Sequence, residues 1–252
     1  MTRVALITGG QQGIGLGIAE ALAASGFIPI LAAQLPEADT TVQAALAQLG
    51  PRARYHQHDL AEVAAVPKLL DRIEAEVGPI TTLVSNAGVP ARIRGDMLDL
   101  TPENFDFALD INLRGAFFLA QAAARRMLAR DGSDYRSLIF VTSVSAAMVS
   151  VERAEYCLSK SAAAMMAQLF AVRLAGAGIG VFDIRPGIIQ TPMTAGVADT
   201  YTTRIEGGLV PAARWGQPAD IAQVVVPLAE GRMAFATGAV IPVDGGLSIP
   251  RL

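Results

Sequence analysis

The sequence lacks the features that define several common protein classes. Cys157 is the single cysteine among 252 residues, so no internal disulfide can form, and no cysteine or histidine cluster stands near it at metal-ligand spacing. The net charge of −3 comes from acidic and basic residues scattered along the chain, so no basic stripe is available to neutralise nucleic-acid phosphates. We therefore expect neither a disulfide scaffold nor a nucleic-acid-binding protein.

Long apolar runs are also missing. The most apolar stretch, residues 137–151, contains several Ser and Thr and is shorter than the roughly 20 residues that a membrane span needs. The apolar run at residues 4–7 leads directly into glycines, unlike a secretory leader. We expect a cytoplasmic protein with no membrane contact. A hydrophobic fraction of 52% indicates more buried surface than one monomer needs, which favours a homo-oligomer.

What the sequence does contain is a regular alternation of strand and helix patterns. Short apolar or β-branched runs predict strands, and Ala/Leu-rich segments between them predict helices, which together indicate right-handed βαβ units in one doubly wound α/β domain spanning residues 1–252. Predicted strands cover residues 4–8, 27–33, 53–57, 80–85, 137–143, 180–185 and 239–243, and predicted helices cover 15–25, 39–49, 63–77, 102–129, 155–177 and 218–229.

One segment does not follow this alternation. Residues 190–217 lack strong periodicity and are rich in glycine and proline. A long irregular stretch in a compact domain is often a lid or a binding loop. We therefore predict a flexible substrate loop at about residues 190–216.

The first predicted strand ends in the sequence TGGQQGIG, and a helix follows at once. This is the context of a phosphate-binding turn, in which Gly9 makes the turn, Gly13 lets the backbone approach a pyrophosphate, and Gly15 allows close packing of the helix. The turn predicts a dinucleotide site at the carboxyl ends of the strands.

A second group of residues has the spacing of a catalytic site. Tyr156 and Lys160 stand at i and i+4, one above the other on a helix face. Ser143 precedes Tyr156 by thirteen residues at the end of a predicted strand, and Asn112 lies in the preceding predicted helix.

These motifs resemble those of the short-chain dehydrogenase/reductase family over essentially the whole chain. The glycine turn is similar to the family's TGxxxGxG, residues 86–88 to its Asn-Ala-Gly, and residues 185–191 to its Pro-Gly turn with a downstream Thr. Asn112, Ser143, Tyr156 and Lys160 match the catalytic tetrad. The resemblance implies a Rossmann-type sheet of about seven parallel strands covered by helices on both faces. Within the family, the chain most resembles 3-oxoacyl-[acyl-carrier-protein] reductase-like members.

The resemblance also implies the chemistry. A ketone and a secondary alcohol are interconverted by hydride transfer, during which the substrate oxygen gains or loses a proton. Tyr156 is the expected acid or base, and the ammonium of Lys160 favours its phenolate. Ser143 is expected to donate to the substrate oxygen, and Asn112 to interrupt its helix and hold a water that links Lys160 to solvent.

The same family pattern identifies the expected cofactor contacts. They follow the glycine turn, the ends of the second to fourth strands, the catalytic helix and the Pro-Gly turn, at Gly9, Gln12, Gly13, Ile14, Gly15, Ala33, Gln34, Asp59, Leu60, Asn86, Ala87, Gly88, Tyr156, Lys160, Pro186, Gly187, Ile189 and Thr191.

The type of nicotinamide cofactor depends on the end of the second strand. NAD-using relatives carry an Asp there that hydrogen-bonds the ribose 2′-hydroxyl, and this sequence has Ala33. We predict that NADP(H) is preferred and that NAD(H) use is possible, since Gln12 and Gln34 stand where a basic residue would bind the 2′-phosphate. His56 and His58 form a His-x-His pattern, but no metal is expected, because the family has adenine contacts next to it.

The substrate is less defined than the reaction. Ser143, Ser145, Met148, Tyr156 and Met193 are the expected substrate contacts, with Trp215 as a further candidate that core packing explains about as well. The expected partner is a small carbonyl compound or alcohol, and a sugar or polyol dehydrogenase is the alternative to a carbonyl or 3-oxoacyl-thioester reductase.

The helix surfaces of the sequence bear on its partners. Arg125 and Arg173 occupy positions where carrier-protein-using members have basic docking residues, although exposed helix arginines are common. Apolar helices at residues 102–129 and 155–177 predict a homotetramer. A non-catalytic dinucleotide-binding sensor is the competing class, and the intact tetrad argues against it.

Overall fold

Seven strands form one parallel sheet in the computed structural model, which describes residues 2–132 and 134–251. Their order in the sheet is β3-β2-β1-β4-β5-β6-β7, and every pairing is parallel. The strands are β1 (Arg3–Thr8), β2 (Phe27–Ala33), β3 (Arg54–Gln57), β4 (Thr82–Ser85), β5 (Arg136–Val141), β6 (Ile179–Pro186) and β7 (Val240–Val243). The predicted fold class is confirmed.

Helices cover both faces of this sheet. The helices are α1 (Gly13–Ala24), α2 (Thr40–Leu49), α3 (Val66–Glu76), α4 (Pro102–Leu109), α5 (Ala116–Leu128), α6 (Ala154–Leu174), α7 (Pro192–Ala195), α8 (Ala198–Glu206) and α9 (Pro218–Ala229). Alternate residues of β1 enter two separate cores: Val4 and Leu6 pack with α3, α5 and α6, while Ala5 and Ile7 pack with α1, α2 and α9. Both faces must be apolar because both are covered.

The strand order reverses between β1 and β4, and this reversal positions the site. From β1 the chain first builds outward through β2 and β3, then returns to the other side of β1 with β4. The connections on the two sides run over opposite faces, so they leave a crevice at the carboxyl ends of the strands. The glycine turn after β1 and the Asn-Ala-Gly segment after β4 therefore meet at this crevice.

Apart from shifted element ends, the structure differs from the strand and helix patterns in two places, and the resemblance had implied the first of them. The helix predicted over residues 102–129 is interrupted by a π-helical segment, Asp110–Gly115, which separates α4 from α5. The segment predicted as irregular, residues 190–217, contains α7 and α8. A Thr191–Thr194 capping box and Pro192 start α7. The segment has too few apolar residues at helical spacing for the sequence to predict this helix. Across the described residues, no helix is both long and apolar enough to span a membrane.

Candidate active site

The turn after β1 is built to receive a phosphate group. Gly9 has a φ of +65°, a conformation that L side chains rarely adopt, and its N–H donates to the carbonyl of Ala32 at 2.8 Å. A Cβ at Gly15 would collide with the carbonyl oxygen of Gly9. The exposed Gln12 makes no side-chain capping bond at the start of α1, so the first N–H groups of that helix face the crevice. The cradle fits a pyrophosphate.

Thr8 joins the turn to the end of β4. Its Oγ1 accepts hydrogen bonds from the N–H groups of Asn86 and Ala87, both at 3.0 Å. The Asn86 side chain in return donates through Nδ2 to the Thr8 carbonyl at 2.9 Å. Thr8 was not among the predicted contacts, although its position at the head of the glycine motif could have identified it. The predicted Asn-Ala-Gly segment is thus held directly against the dinucleotide turn.

Asn112 lies at the centre of the π-helical segment and is buried. Its Oδ1 accepts from the N–H of Val89 at 2.7 Å, and its Nδ2 donates to the Val89 carbonyl at 3.0 Å and to Ser159 Oγ at 3.0 Å. Ser159 Oγ donates to the carbonyl of Tyr156 at 2.8 Å. The predicted interruption of the helix at Asn112 is therefore observed, and the amide connects the segment after β4 to the catalytic helix.

Tyr156 and Lys160 occupy the same face of α6, as their spacing predicts. Lys160 is buried, and its Nζ donates to the carbonyl of Val141 at 3.2 Å, which fixes the ammonium at the end of β5. Nζ lies 5.7 Å from the centre of the Tyr156 ring. Gly88 packs against both Asn112 and Lys160, since a Cβ there would stand 3.4 Å from Lys160 Nζ and 3.0 Å from Asn112 Oδ1.

Ser143 follows β5 by two residues and is buried together with Ser145. Its Oγ accepts from the N–H of Ser145 at 3.0 Å, so the hydroxyl proton stays available for a substrate oxygen. The end of β5 therefore positions both Ser143 and, through Val141, the ammonium of Lys160.

The turn after β6 closes the site on the side of α1. The N–H of Gly187 donates to the Val243 carbonyl at 3.0 Å, which holds the Pro186-Gly187 turn against β7. A Cβ at Gly13 would be 3.4 Å from the side chain of Thr191, so Thr191 stands directly over the glycine turn. Ile189 is buried beneath it. The predicted contacts on α1 and on this turn are thus brought together.

The adenosine end of the crevice carries no carboxylate at the tip of β2. Ala33 is buried there, and its carbonyl accepts from the N–H of His58 at 2.8 Å. Gln34 is exposed, and its carbonyl accepts from Gln57 Nε2 at 3.0 Å. Asp59 Oδ1 accepts from the N–H of Ala61 at 2.9 Å, which shapes the turn that carries Leu60.

Burial lowers the pKa of both histidines near this end. Burial lowers the pKa of His58, against the weaker opposing influence of Asp59 and Glu62. Burial likewise lowers the pKa of His56, although Glu76 lies 3.4 Å away. Residues 2–132 and 134–251 contain no group of three or more Asp, Glu, His or Cys side chains that could hold a metal ion.

Two of the predicted substrate contacts, Met148 and Met193, are more exposed than Ser143 and Ser145. Met148 and Met193 have exposed fractions of 37% and 52%, and both belong to the outer edge of the site. Trp215 donates from Nε1 to Thr202 Oγ1 at 3.1 Å and packs edge-on against Tyr201. Trp215 therefore anchors α8, and it lines a cavity of about 400 Å³ with Thr191 and Thr202.

Fold and site together define a class of protein. A doubly wound sheet presents a phosphate-binding turn at its switch point, and a lysine-supported tyrosine with a neighbouring serine lies at the same carboxyl edge. The residues fit a nicotinamide dinucleotide. The arrangement is that of a dinucleotide-dependent oxidoreductase.

Comparisons with known proteins give the family. A profile of the family described as Enoyl-(Acyl carrier protein) reductase matches residues 9–248. The chain is 34% identical to "3-oxoacyl-[acyl-carrier-protein] reductase MabA" of Mycobacterium bovis, over 99% of this chain and 94% of the relative. The chain belongs to the short-chain dehydrogenase/reductase family, so the predicted family and enzyme class are confirmed.

Two solved structures resemble the protein closely. A 3-oxoacyl-[acyl-carrier protein] reductase from Brucella melitensis in complex with NAD is 47% identical, with a TM-score of 0.95 over 100% of this chain and 99% of that chain. A gluconate 5-dehydrogenase from Burkholderia cenocepacia in complex with NADP and tartrate is 31% identical, with a TM-score of 0.90 over 99% of this chain and 96% of that chain. The protein is a nicotinamide-dinucleotide oxidoreductase, and relatives of both cofactor types share its fold.

Proposed function

We propose that the protein interconverts a ketone and a secondary alcohol, with Tyr156 exchanging the proton at the substrate oxygen. The observation that carries this proposal is the hydrogen bond from Lys160 Nζ to the Val141 carbonyl, 3.2 Å long, because it holds an ammonium 5.7 Å from the Tyr156 ring centre. A nearby positive charge stabilises the negative charge that develops on the Tyr156 oxygen as its proton is transferred. The bound nicotinamide supplies or accepts the hydride.

In the reducing direction, the phenol of Tyr156 donates its proton to the substrate oxygen as the carbonyl carbon gains the hydride. Ser143 donates a hydrogen bond to the same oxygen and stabilises its developing negative charge. The phenolate regains a proton by way of Lys160 and a water held near Asn112. In oxidation, Tyr156 takes the alcohol proton and the path runs in reverse.

NADP(H) is the preferred cofactor in this proposal, and NAD(H) is also used. Support comes from Ala33, which leaves no carboxylate to repel a 2′-phosphate. The preference is moderate because Gln12 and Gln34 are neutral. We expect Ala33→Asp to lower the NADPH to NADH ratio of kcat/KM by about tenfold. An unchanged ratio in Ala33→Asp, or a wild type that clearly prefers NADH, would contradict this assignment.

Two substrate classes follow from the relatives' names. A 3-oxoacyl-thioester-like carbonyl compound is the first, and a sugar or polyol is the second. Docking of an acyl-carrier protein would use Arg125 and Arg173, which are both exposed on the outer faces of α5 and α6. Whether the protein acts as a reductase or as a dehydrogenase in the cell depends on which substrate class it uses.

A homotetramer in the cytoplasm completes the proposal. The outer face of α6 exposes an apolar row that a monomer would leave in water, formed by Leu158, Met165, Leu169 and Val172. The single cysteine suits a reducing compartment. A monomer mass by light scattering at micromolar concentration would contradict the tetramer.

The experiment is a panel assay. Purified protein is tested with NADPH and NADH against ketones, oxo acids, sugar derivatives and 3-oxoacyl thioesters, and with NADP⁺ and NAD⁺ against the matching alcohols. We expect cofactor turnover with at least one pair and loss of that turnover in Tyr156→Phe. Turnover that persists in Tyr156→Phe would contradict the assignment of the proton donor.

A further inference from the structure

A second cation lies beside the catalytic tyrosine. The Cζ atom of Arg153 is 5.6 Å from the centre of the Tyr156 ring, at a distance similar to that of Lys160 Nζ. The Nε atom of Arg153 donates to Ser150 Oγ at 3.4 Å, which directs the guanidinium toward the segment between β5 and α6. Arg153 belongs to neither the predicted tetrad nor the predicted cofactor contacts.

The helix geometry assigns Arg153 to the substrate side. Tyr156 and Lys160 share one face of α6, and the guanidinium of Arg153, the residue that precedes the helix, lies near the Tyr156 ring at the N-terminal end of that row. Because Arg153 precedes Tyr156 by three residues and Lys160 follows Tyr156 by four, Arg153 lies on the side of Tyr156 away from Lys160. Because Lys160 stands over the end of β5 near the dinucleotide crevice, the opposite end of this row faces the outer part of the site.

Neighbouring segments support this position. The N–H of Gly95 donates to the carbonyl of Glu152 at 3.3 Å, which brings the segment after β4 to the same outer edge. Val149 and Val151 are exposed beside Arg153, with exposed fractions of 92% and 61%. Arg153 itself is half-buried. The guanidinium therefore has apolar neighbours and one polar neighbour, Ser150. Because Arg153 is only half-buried, a ligand in solution can reach it.

No protein carboxylate neutralises this guanidinium. Within residues 2–132 and 134–251, no Asp or Glu oxygen lies within 4.0 Å of Arg153. Glu155 is close in sequence but does not pair with Arg153. It is buried on the face of α6 that carries Ser159, and Ser159 bonds to Asn112. The chain offers Arg153 a hydroxyl and an aromatic ring instead of an acid.

The position also costs electrostatic stability. Arg153 is the N-cap residue of α6, where the helix dipole presents positive charge and disfavours a cation, although Glu155 in the first turn offsets part of this effect. An unpaired cation at the positive end of a helix, next to a catalytic phenol, is a local conflict of the kind found at functional sites. An anion bound there would satisfy both the guanidinium and the helix terminus.

We propose that Arg153 binds a carboxylate of the substrate, so that the enzyme acts on small oxo acids and hydroxy acids in preference to neutral ketones, esters and thioesters. This inference rests on the proposed function, because it takes the substrate oxygen to lie against Tyr156 and Ser143. The planar guanidinium fork pairs with the two oxygens of a carboxylate. Its closeness to Tyr156 requires a short acid, with the carboxylate a few bonds from the reacting carbon.

The test compares each acid with its own ester. Steady-state kcat/KM is measured for several 2-oxo and 3-oxo acids and for their methyl esters, in wild type, Arg153→Met, Arg153→Lys and Arg52→Met. Methionine keeps much of the side-chain packing and removes the charge. Arg52 is exposed between α2 and β3, at the opposite edge of the sheet, so Arg52→Met is the control for the change in net charge.

We expect wild type to prefer the acids and Arg153→Met to lower their kcat/KM by about 10- to 100-fold, mainly through KM, with the esters little changed. Arg153→Lys should retain part of the preference for acids over esters, and Arg52→Met should retain all of it. Cofactor affinity, followed by the fluorescence of bound NADPH, should be unchanged in every variant.

Three results would overturn the inference. Equal losses for acid and ester in Arg153→Met would assign Arg153 to the support of Tyr156. A higher kcat/KM of wild type for the esters than for the acids would show that the protein has no carboxylate site. Turnover of no carbonyl compound at all would overturn the proposed function and the carboxylate site with it, whereas turnover with an unchanged acid-to-ester ratio would overturn only the role of Arg153.

Discussion

The inner and outer parts of the site differ in how their side chains are held. The inner part, here called the platform, consists of Asn112, Ser143, Ser159 and Lys160. All four are buried, and each is hydrogen-bonded to a main-chain group. Main-chain positions are fixed by the sheet and its helices, so the platform inherits their rigidity.

The outer part, here called the rim, consists of Met148, Val149, Val151, Arg153 and Met193. Four of these side chains are apolar and substantially exposed. Arg153 is held by one long hydrogen bond to a hydroxyl. The rim therefore depends on the ligand to fix its side chains, while the platform does not.

The difference separates two functions. Proton transfer needs fixed geometry at the substrate oxygen, which the platform supplies for every substrate. Choice among substrates depends on side chains that differ in size and charge, and we propose that the rim supplies them. Substitutions in the platform should therefore affect all substrates alike, and substitutions in the rim should change their relative rates.

Lys160→Met should have the largest effect. Removal of the ammonium withdraws the charge that supports the Tyr156 phenolate, so we expect kcat to fall at least about a hundredfold for acids and esters equally. The control is Lys68→Met, since Lys68 is the only other lysine of the chain and is exposed on α3. A loss confined to one substrate class would break the separation of platform from rim.

Asn112→Ala should destabilise the platform itself. The substitution removes the partner of both the N–H and the carbonyl of Val89, which are partly buried, and a fully buried group left unpaired would cost about 1–3 kcal/mol, so a loss toward the lower end of that range is expected. Thermal unfolding is the measurement, with Asn104→Ala on α4 as the control. Equal Tm values for the two variants would mean that the Asn112 bonds do not hold the platform.

The smallest effect concerns His58, outside both regions. Because burial lowers its pKa, native His58 stays neutral at a pH where the unfolded chain binds a proton, so stability decreases as pH falls. Between about pH 7.5 and about pH 5.5, a window around the ordinary histidine pKa of about 6.5, the Tm of wild type should fall more than that of His58→Gln. If the Tm of wild type and the Tm of His58→Gln fall equally over this pH range, the prediction is contradicted.

Much of the fold and of the platform could be predicted because both follow local patterns. The seven strands came from short apolar runs, and the positions of Tyr156 and Lys160 on one face came from their spacing. The ends of several elements were displaced by one to three residues. The π-helical segment at Asp110–Gly115 was expected only through the resemblance, since no propensity distinguishes it from the helix around it.

The unpredicted features depend on contacts between distant segments. Thr8 binds the segment after β4, and Ser159 joins Asn112 to α6, across 78 and 47 residues of sequence respectively. Arg153 gave no signal, because an arginine before a helix looks like a solvated residue until its distance to Tyr156 is known. The helices α7 and α8 depend on the capping box and on the packing of Trp215.

The most direct test of the account is the single-turnover rate of hydride transfer in Tyr156→Phe, saturated with reduced cofactor and mixed with one oxo acid and, separately, with its ester. The account predicts a fall of about a hundredfold or more for both substrates, with cofactor affinity and Tm unchanged, because the ring stays packed while the proton donor is lost. A rate close to that of wild type with either substrate would contradict it.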